Sequence, residues 1–280
     1  MIKSYPHVET ERQDNVLIIR LDNEAARNSL TREMRYSLRD ITREVQDDYS
    51  IRAIYLTGKG PTFCAGGDLR MLTEQKTVFE KHRRFRHAAT FMPQLMALDR
   101  PVVCGVRGVA IGGGMGLALM ADTIVAGDSA KFMAGFFRLG VVPDCLTLFT
   151  LPRLVGLAKA RDFFYSNTTW GAQEALANGV VSKVVADDDV DAEGIALAHK
   201  YASGPAEVMG LAKTIMLKSF ESSIAEIMDY EDYAQVMAQS GPEFGEGLAA
   251  LVEKRKPDYA AAAKAEGFSD GMPSSMKDDE

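Results

Sequence analysis

Two glycine-rich signatures, Phe63-Cys64-Ala65-Gly66-Gly67-Asp68-Leu69 and Gly108-Val109-Ala110-Ile111-Gly112-Gly113-Gly114-Met115-Gly116, lie about 45 residues apart, each after an apolar, strand-like run. Glycine at both places lets the backbone approach more closely than any side chain allows, so two main-chain N–H groups can converge on one oxygen. The triple glycine also opens a helix whose N-terminal dipole favours negative charge there. A single glycine cluster reads as a turn. Two clusters in this order read as an oxyanion hole.

The runs Val16–Leu21, Arg52–Thr57, Val102–Val106, Thr123–Ala126 and Val180–Val185 are β-rich and separated by helical stretches and glycine loops, which is an α/β pattern. Thr31 to Asp48 places Met34, Leu38, Ile41 and Val45 on one helical face with Thr31 as N-cap. Gly171 caps a further helix, with Glu174 at its third position, Leu176 inward and Gly179 at its end. After Gly204-Pro205 the strand signal stops; Pro205 suits a first helical position, and Leu211, Ile215 and Met216 form an apolar stripe. We therefore divide the chain into a core domain at residues 1–200, a helical region at 201–259 and a tail at 260–280. The tail's alanine, glycine, serine and acidic residues predict disorder.

The formal charge of -7 argues against a nucleic-acid surface, which needs clustered Lys and Arg. Lys81-His82-Arg83-Arg84-Phe85-Arg86 is the local exception, a solvated helix face or a rim that attracts phosphates. Cys64, Cys104 and Cys145 lack metal or disulfide spacing, the four histidines form no cluster, and no metal is expected. No apolar run approaches membrane length, and the amino terminus has no signal-like apolar region, so a reducing cytoplasm is the expected location.

The two signatures, with Ala130-Lys131-Phe132, the run from Leu151 to Gly156, Ala172-Gln173-Glu174-Ala175 and Glu253-Lys254-Arg255-Lys256-Pro257, resemble the crotonase (enoyl-CoA hydratase/isomerase) superfamily over about residues 10–258. The resemblance implies a spiral of ββα units with a C-terminal helical trimerisation region, assembled as a homotrimer or dimer of trimers. It implies an acyl-CoA substrate and no separate cofactor, since coenzyme A enters within the thioester. The oxyanion donors it implies are the N–H groups of Gly67 and Gly113.

Hydratases of this family carry one glutamate two residues after the triple glycine and another shortly after the Ala-Lys-Phe strand. The matching positions are Gly116 and Phe136, and neither titrates. Asp144 matches the aspartate of family isomerases of the dienoyl-CoA and 1,2-epoxyphenylacetyl-CoA type; Phe136 to Arg153 looks closest to the latter. Apolar neighbours Val141, Val142, Leu146 and Phe149 predict a desolvated Asp144 with a raised pKa, whereas its Pro-Asp context also suits a helix cap. The expected activity is a double-bond shift, with Asp144 moving one proton between carbons of an enolate. Phe136, Phe137, Phe91, Met92 and Met133, with Gly116, are the candidate acyl pocket. By resemblance, backbone at Ala65 holds adenine, and Arg70, Arg27 and Lys254 meet the phosphates. Leu251 stands where an aromatic commonly precedes that lysine.

Three other readings stay open: a dehalogenase-like or hydrolytic enzyme with Asp144 as nucleophile, a hydratase of non-standard mechanism, and a non-catalytic acyl-CoA-binding protein. Against the first, the family dehalogenases' histidine and tryptophan fall on Ala89 and Phe136.

Overall fold

The computed structural model describes residues 4–68, 70, 73, 76–88 and 90–265. A large sheet runs in the order β1 (Val8–Gln13), β2 (Val16–Leu21), β3 (Ala53–Gly58), β4 (Val102–Val106), β6 (Thr123–Gly127) and β9 (Lys183–Val185). Only β1 and β2 pair antiparallel within it; the other pairings are parallel. A parallel sheet is covered on both faces, which is why β3 and β4 are buried at every position. One face packs on α1 (Arg32–Asp47), whose Met34, Leu38, Ile41 and Val45 are all sealed as the periodicity predicts. Thr31 caps that helix by accepting the Met34 N–H at 3.2 Å. On the other face Val16, Ile18, Tyr55, Val103 and Val125 meet Ala198 and Ala202 of α8 (Val190–Ala202).

A second sheet, not evident from periodicity because its strands are three residues long, runs β5 (Val109–Ile111), β7 (Lys131–Met133), β8 (Thr169–Gly171). An isolated parallel bridge between Cys64 and Ala110 extends it, so Cys64, Ala110, Phe132 and Trp170 form successive rungs. The middle turns of the chain thus supply one strand to the large sheet, one short strand to the small sheet, and then helix: β4, β5 and α4 (Gly113–Ala118), followed by β6, β7 and α5 (Thr147–Val155). This is the ββα spiral.

Among the described residues of the first half, α2 (Val78–Ala88) and α3 (Phe91–Met96) are further helices; α6 (Leu157–Ser166) and α7 (Ala172–Ala177) flank β8. In α7 it is Ala172 and Ala175 that face inward, while Leu176 is exposed, a correction to its predicted orientation; the first helical turn after β8 offers the sheet only its alanine face. Gly179 does end the turn, at φ +75°, though the following strand begins only at Lys183.

From Pro205, which caps rather than begins its helix, the chain is helical: α9 (Ala206–Lys218), α10 (Ile224–Ser240), α11 (Pro242–Glu253) and α12 (Tyr259–Ala265). Residues 260–265, assigned to the tail on composition, thus belong to a helix packed on α11, and residues 266–280 lie outside the described residues. Buried ion pairs tie this region to the sheet. Arg52 meets Glu243 at 2.8 Å, with both side chains almost inaccessible, and Lys213 reaches Asp122 at 2.8 Å. No helix among the described residues is long and apolar enough to cross a membrane.

Candidate active site

Because Cys64 and Ala110 are parallel neighbours, the chain leaves both rungs at the same end, and the residues two or three further on meet there. Cys64 donates to Val109 O and Ile111 to Cys64 O, both at 3.0 Å. Beyond this ladder Gly66 turns with φ +88°, and a Cβ on it would lie 2.5 Å from Ile111 O and 3.5 Å from Gly113 N. The two glycine loops are therefore in direct backbone contact, and only glycine permits it.

The donor geometry follows. Leu30 donates to Gly66 O at 2.7 Å in a parallel bridge with Gly67, which engages the groups flanking Gly67 and leaves its own N–H outside the ladder. Where a side chain on Gly67 would stand, nothing lies within 4 Å. Gly113 is the first residue of α4, so its N–H has no acceptor within the helix, and Gly112 enters with φ 54°. The structure brings these two sequence-predicted glycines to one place.

The hydratase positions are closed. A Cβ on Gly116 would run into the carbonyl oxygen of Cys145 and lie 2.8 Å from the Cys145 Cβ. Phe136 is buried, and its ring lies 3.6 Å from where a Cβ on Gly112 would be.

Asp144 follows the buried Pro143 at the start of an unusual turn. Cys145 and Leu146 are successive left-handed residues, φ 54° and 60°, a conformation costing non-glycine residues roughly 1–2 kcal/mol each. Thr147, fully buried, holds the turn by donating both its N–H (3.1 Å) and its hydroxyl (2.8 Å) to Asp144 O. The result corrects two expectations. Asp144 is exposed, not desolvated, because the double left-handed turn lifts it out while Val141 and Val142 also face outward. Nor does it cap α5: the N-cap is Leu146, with no side-chain cap. Beside Asp144, burial first and the neighbouring carboxylate second push the Cys145 thiol up, so it stays protonated. Complete burial likewise raises Cys64 to about 12.

The remaining candidates divide. Met133 is half-buried next to the second signature, and its carbonyl accepts the Gly112 N–H at 2.9 Å. Phe137 is exposed and packs on Tyr165 with ring centroids 6.0 Å apart. Phe91 and Met92, expected in the pocket, are instead sealed in the main core at 1% exposure, since both sit on the inward face of α3. Residue 89 lies outside the described residues. The Ala65 N–H is taken by Arg27 O at 3.0 Å, and Arg27, in the left-handed region, is exposed beside it. Arg70 is exposed and binds Asp68 through Nε at 3.1 Å and Nη2 at 3.0 Å, which holds the Asp68 carboxyl below its usual range. Lys254 stands on a different element, as the exposed left-handed C-cap of α11.

Two residues escaped sequence reasoning. Asn28, fully buried, accepts the Asn23 N–H and donates to Lys59 O and Thr62 O, pinning the loop that carries Leu30 to the first signature. Its left-handed conformation is a signal that asparagine in a loop can carry. Arg35, on α1, reads in sequence as an ordinary helix-surface cation, yet its charge is felt at Cys64, Asp68 and Cys145, and its Nε is buried without a partner.

A ββα spiral in which two glycine loops meet, with the Gly67 and Gly113 N–H groups outside the ladder and helix hydrogen bonds, is an arrangement that can accommodate an oxyanion. The enoyl-CoA hydratase/isomerase family model matches residues 11–262, and the chain belongs to that family. It is 34% identical to a probable enoyl-CoA hydratase of Mycobacterium tuberculosis over 256 residues, covering 91% of this chain and 98% of that one. It is 32% identical to the 1,2-epoxyphenylacetyl-CoA isomerase of Escherichia coli, covering 90% and 96%. The crystal structure of an enoyl-CoA hydratase/isomerase from Cupriavidus metallidurans superposes with a TM-score of 0.86 at 29% identity, covering 92% of this chain and 97% of that chain.

Proposed function

We propose that this family member is an acyl-CoA isomerase that shifts a double bond through a thioester enolate. The observation that carries this reading is the closed space at Gly116, filled by the Cys145 turn that also leaves the neighbouring Asp144 exposed. Hydration by the usual route needs two titrating groups around a water, and Gly116 and Phe136 supply neither. One group suffices for isomerisation. Asp144 takes a proton from the α or γ carbon, the electron pair moves into the thioester, and the resulting oxyanion is held by Gly67 and Gly113. The protonated Asp144 then returns the proton to a different carbon, so the step is balanced without oxidant, metal or water.

Coenzyme A arrives as part of the substrate in this reading, with Ala65 backbone near the adenine and Arg70, Arg27 and Lys254 available to the phosphates. Phe136, Met133 and Phe137 flank the acyl group. We also propose assembly as trimers. Met216, Phe220, Met228, Met237, Leu248 and Leu251 are exposed apolar side chains on or beside α9, α10 and α11, more than a solitary subunit comfortably leaves in water. Sedimentation or light scattering tests this, a monomer at micromolar concentration being the contrary result.

The test of the chemistry is Asp144→Asn, which keeps size but cannot accept a proton. With linear and aromatic enoyl-CoAs in deuterated water, α-proton exchange and bond migration fall by about two to four orders of magnitude, while CoA thioester binding survives. Wild-type exchange in a folded variant excludes the mechanism, and an aspartyl ester trapped on Asp144 replaces it with nucleophilic catalysis.

A further inference from the structure

The loop that presents Gly67 is fixed differently on its two sides. Before Gly67 the tie is main chain: Gly66 O accepts the Leu30 N–H at 2.7 Å, and Leu30 bridges Gly67. After it, the ties come from one side chain. Asp68 Oδ1 accepts the Arg70 main-chain N–H at 3.0 Å and Arg70 Nε at 3.1 Å, while Oδ2 accepts Nη2 at 3.0 Å. The carboxylate therefore closes the turn directly after the oxyanion donor and grips one edge of a guanidinium in the two-point geometry that suits both groups. The Nη1 edge takes no part in the pair. Burial separates the partners, since the Asp68 side chain is 12% exposed and the Arg70 side chain 79%. Arg70, through its side-chain hydrogen bonds first, keeps the Asp68 carboxyl below its ordinary range, so both members are charged at neutral pH. An ion pair this open to water contributes little to folding, which makes stability alone a weak reason for it.

We propose that Asp68 is a positioning residue that joins phosphate recognition to the oxyanion hole: it holds Arg70 with the free edge of the guanidinium ready for a coenzyme A phosphate, and the same carboxylate holds the turn that presents the Gly67 N–H. The proposal rests on the reading above in two respects, that Gly67 is an oxyanion donor and that Arg70 contacts a phosphate. With a phosphate on one edge and Asp68 on the other, Arg70 restrains the turn from Asp68 to Arg70, which narrows the positions open to the Gly67 N–H. Binding energy from the phosphate end of the substrate is thereby realised at the reacting end.

The rate of α-proton exchange at saturation, measured in deuterated water with butyryl-CoA and with butyryl-pantetheine, which has the same acyl group and no phosphate, tests it. In the wild-type protein the CoA thioester exchanges about tenfold to a hundredfold faster than the pantetheine thioester. Asp68→Asn and Arg70→Gln each bring that ratio to within about threefold of unity, and the double variant lowers it no further. A carboxylate that merely supported the loop would lower both rates together and leave the ratio as it was; that result, or a wild-type ratio near one, overturns the proposal. Should Asp68→Asn not fold, Arg70→Lys decides, because it keeps the charge but not the two-edged fork: a collapsed ratio supports the link and an undiminished one overturns it. If neither thioester exchanges, the enolate reading fails, and calorimetry with free coenzyme A still decides whether Asp68 positions Arg70. Asp68→Asn then weakens binding about threefold to tenfold in the wild-type background and by less than about twofold beside Arg70→Gln, whereas equal losses in both backgrounds, or tighter binding, overturn it.

Discussion

Gly116 faces Cys145 across a gap with no room for a β-carbon: the Cys145 carbonyl occupies the direction in which a side chain would leave the helix. The turn that frees Asp144 is thus the same turn that closes the position where a hydratase glutamate would stand. Installing such a glutamate requires the Cys145–Leu146 turn to move. Gly116→Ala alone should destabilise the fold by about 1–3 kcal/mol, the cost of overpacking against backbone, measured by denaturant titration. A neutral substitution would show that the turn yields freely.

The donor N–H of Gly113 can be isolated by paired variants. An added Cβ meets the Cys145 Sγ at 3.0 Å and Leu30 Cδ1 at 3.2 Å, both on side chains with some freedom to shift. Gly113→Ala and Gly113→Pro both add that carbon, but only proline removes the N–H, at a first helical position that tolerates it. Gly113→Pro should lose about 100- to 1,000-fold in turnover relative to Gly113→Ala. Equal rates, with circular dichroism confirming both folds, would remove Gly113 from the hole.

Glu243 is the carboxylate on which the helical region depends. It pairs with buried Arg52 and accepts the N–H groups of Glu207 and Val208 in the first turn of α9, at 3.4 and 3.2 Å. Glu243→Ala leaves a guanidinium buried with only the carbonyls of Ala202 and Gly204, and should cost about 3–5 kcal/mol by chemical denaturation. Removing both charges, as in Arg52→Met with Glu243→Leu, should recover much of it.

Acid should loosen the end of the chain before the core. Arg255, followed by the Asp258 N–H, lowers Glu246 from its ordinary value to about 2. A depressed carboxylate stabilises the fold above its unfolded pKa, and that contribution is lost as pH falls from about 4.5 towards 2. The hydrogen-exchange protection factors of residues 259–265, taken relative to the intrinsic rate at each pH, should therefore fall between pH 5 and pH 3, and in Glu246→Gln they should already be low at pH 5. Identical pH profiles for the two proteins would mean that this contact does not hold α12.

Much of this protein was legible in order along the chain. The buried face of α1 follows from Met34, Leu38, Ile41 and Val45 recurring at helical spacing, and the inner strands β2, β3, β4 and β6 are apolar runs because both their faces are covered, unlike the polar edge strand β1. The two glycine loops announce close backbone contact, because only the lack of a Cβ allows it, and Gly66 against Ile111 is that contact. The family, and the absence of titrating groups at positions 116 and 136, are properties of residue identity and needed no coordinates.

Other features exist only once distant segments meet. The small sheet has strands too short for a period, and it forms because the spiral stacks Cys64, Ala110, Phe132 and Trp170 in register. Apolar neighbours in sequence predicted a desolvated Asp144, but burial is decided in space. Two left-handed residues, held by Thr147, turned the carboxylate outward and set Cys145 against Gly116. Arg35 is the sharper case. Its helix position marks a surface cation, and only tertiary packing buries its Nε and brings its charge to bear on Cys64, Asp68 and Cys145, because electrostatic environment is a sum over neighbours that the order of residues does not list.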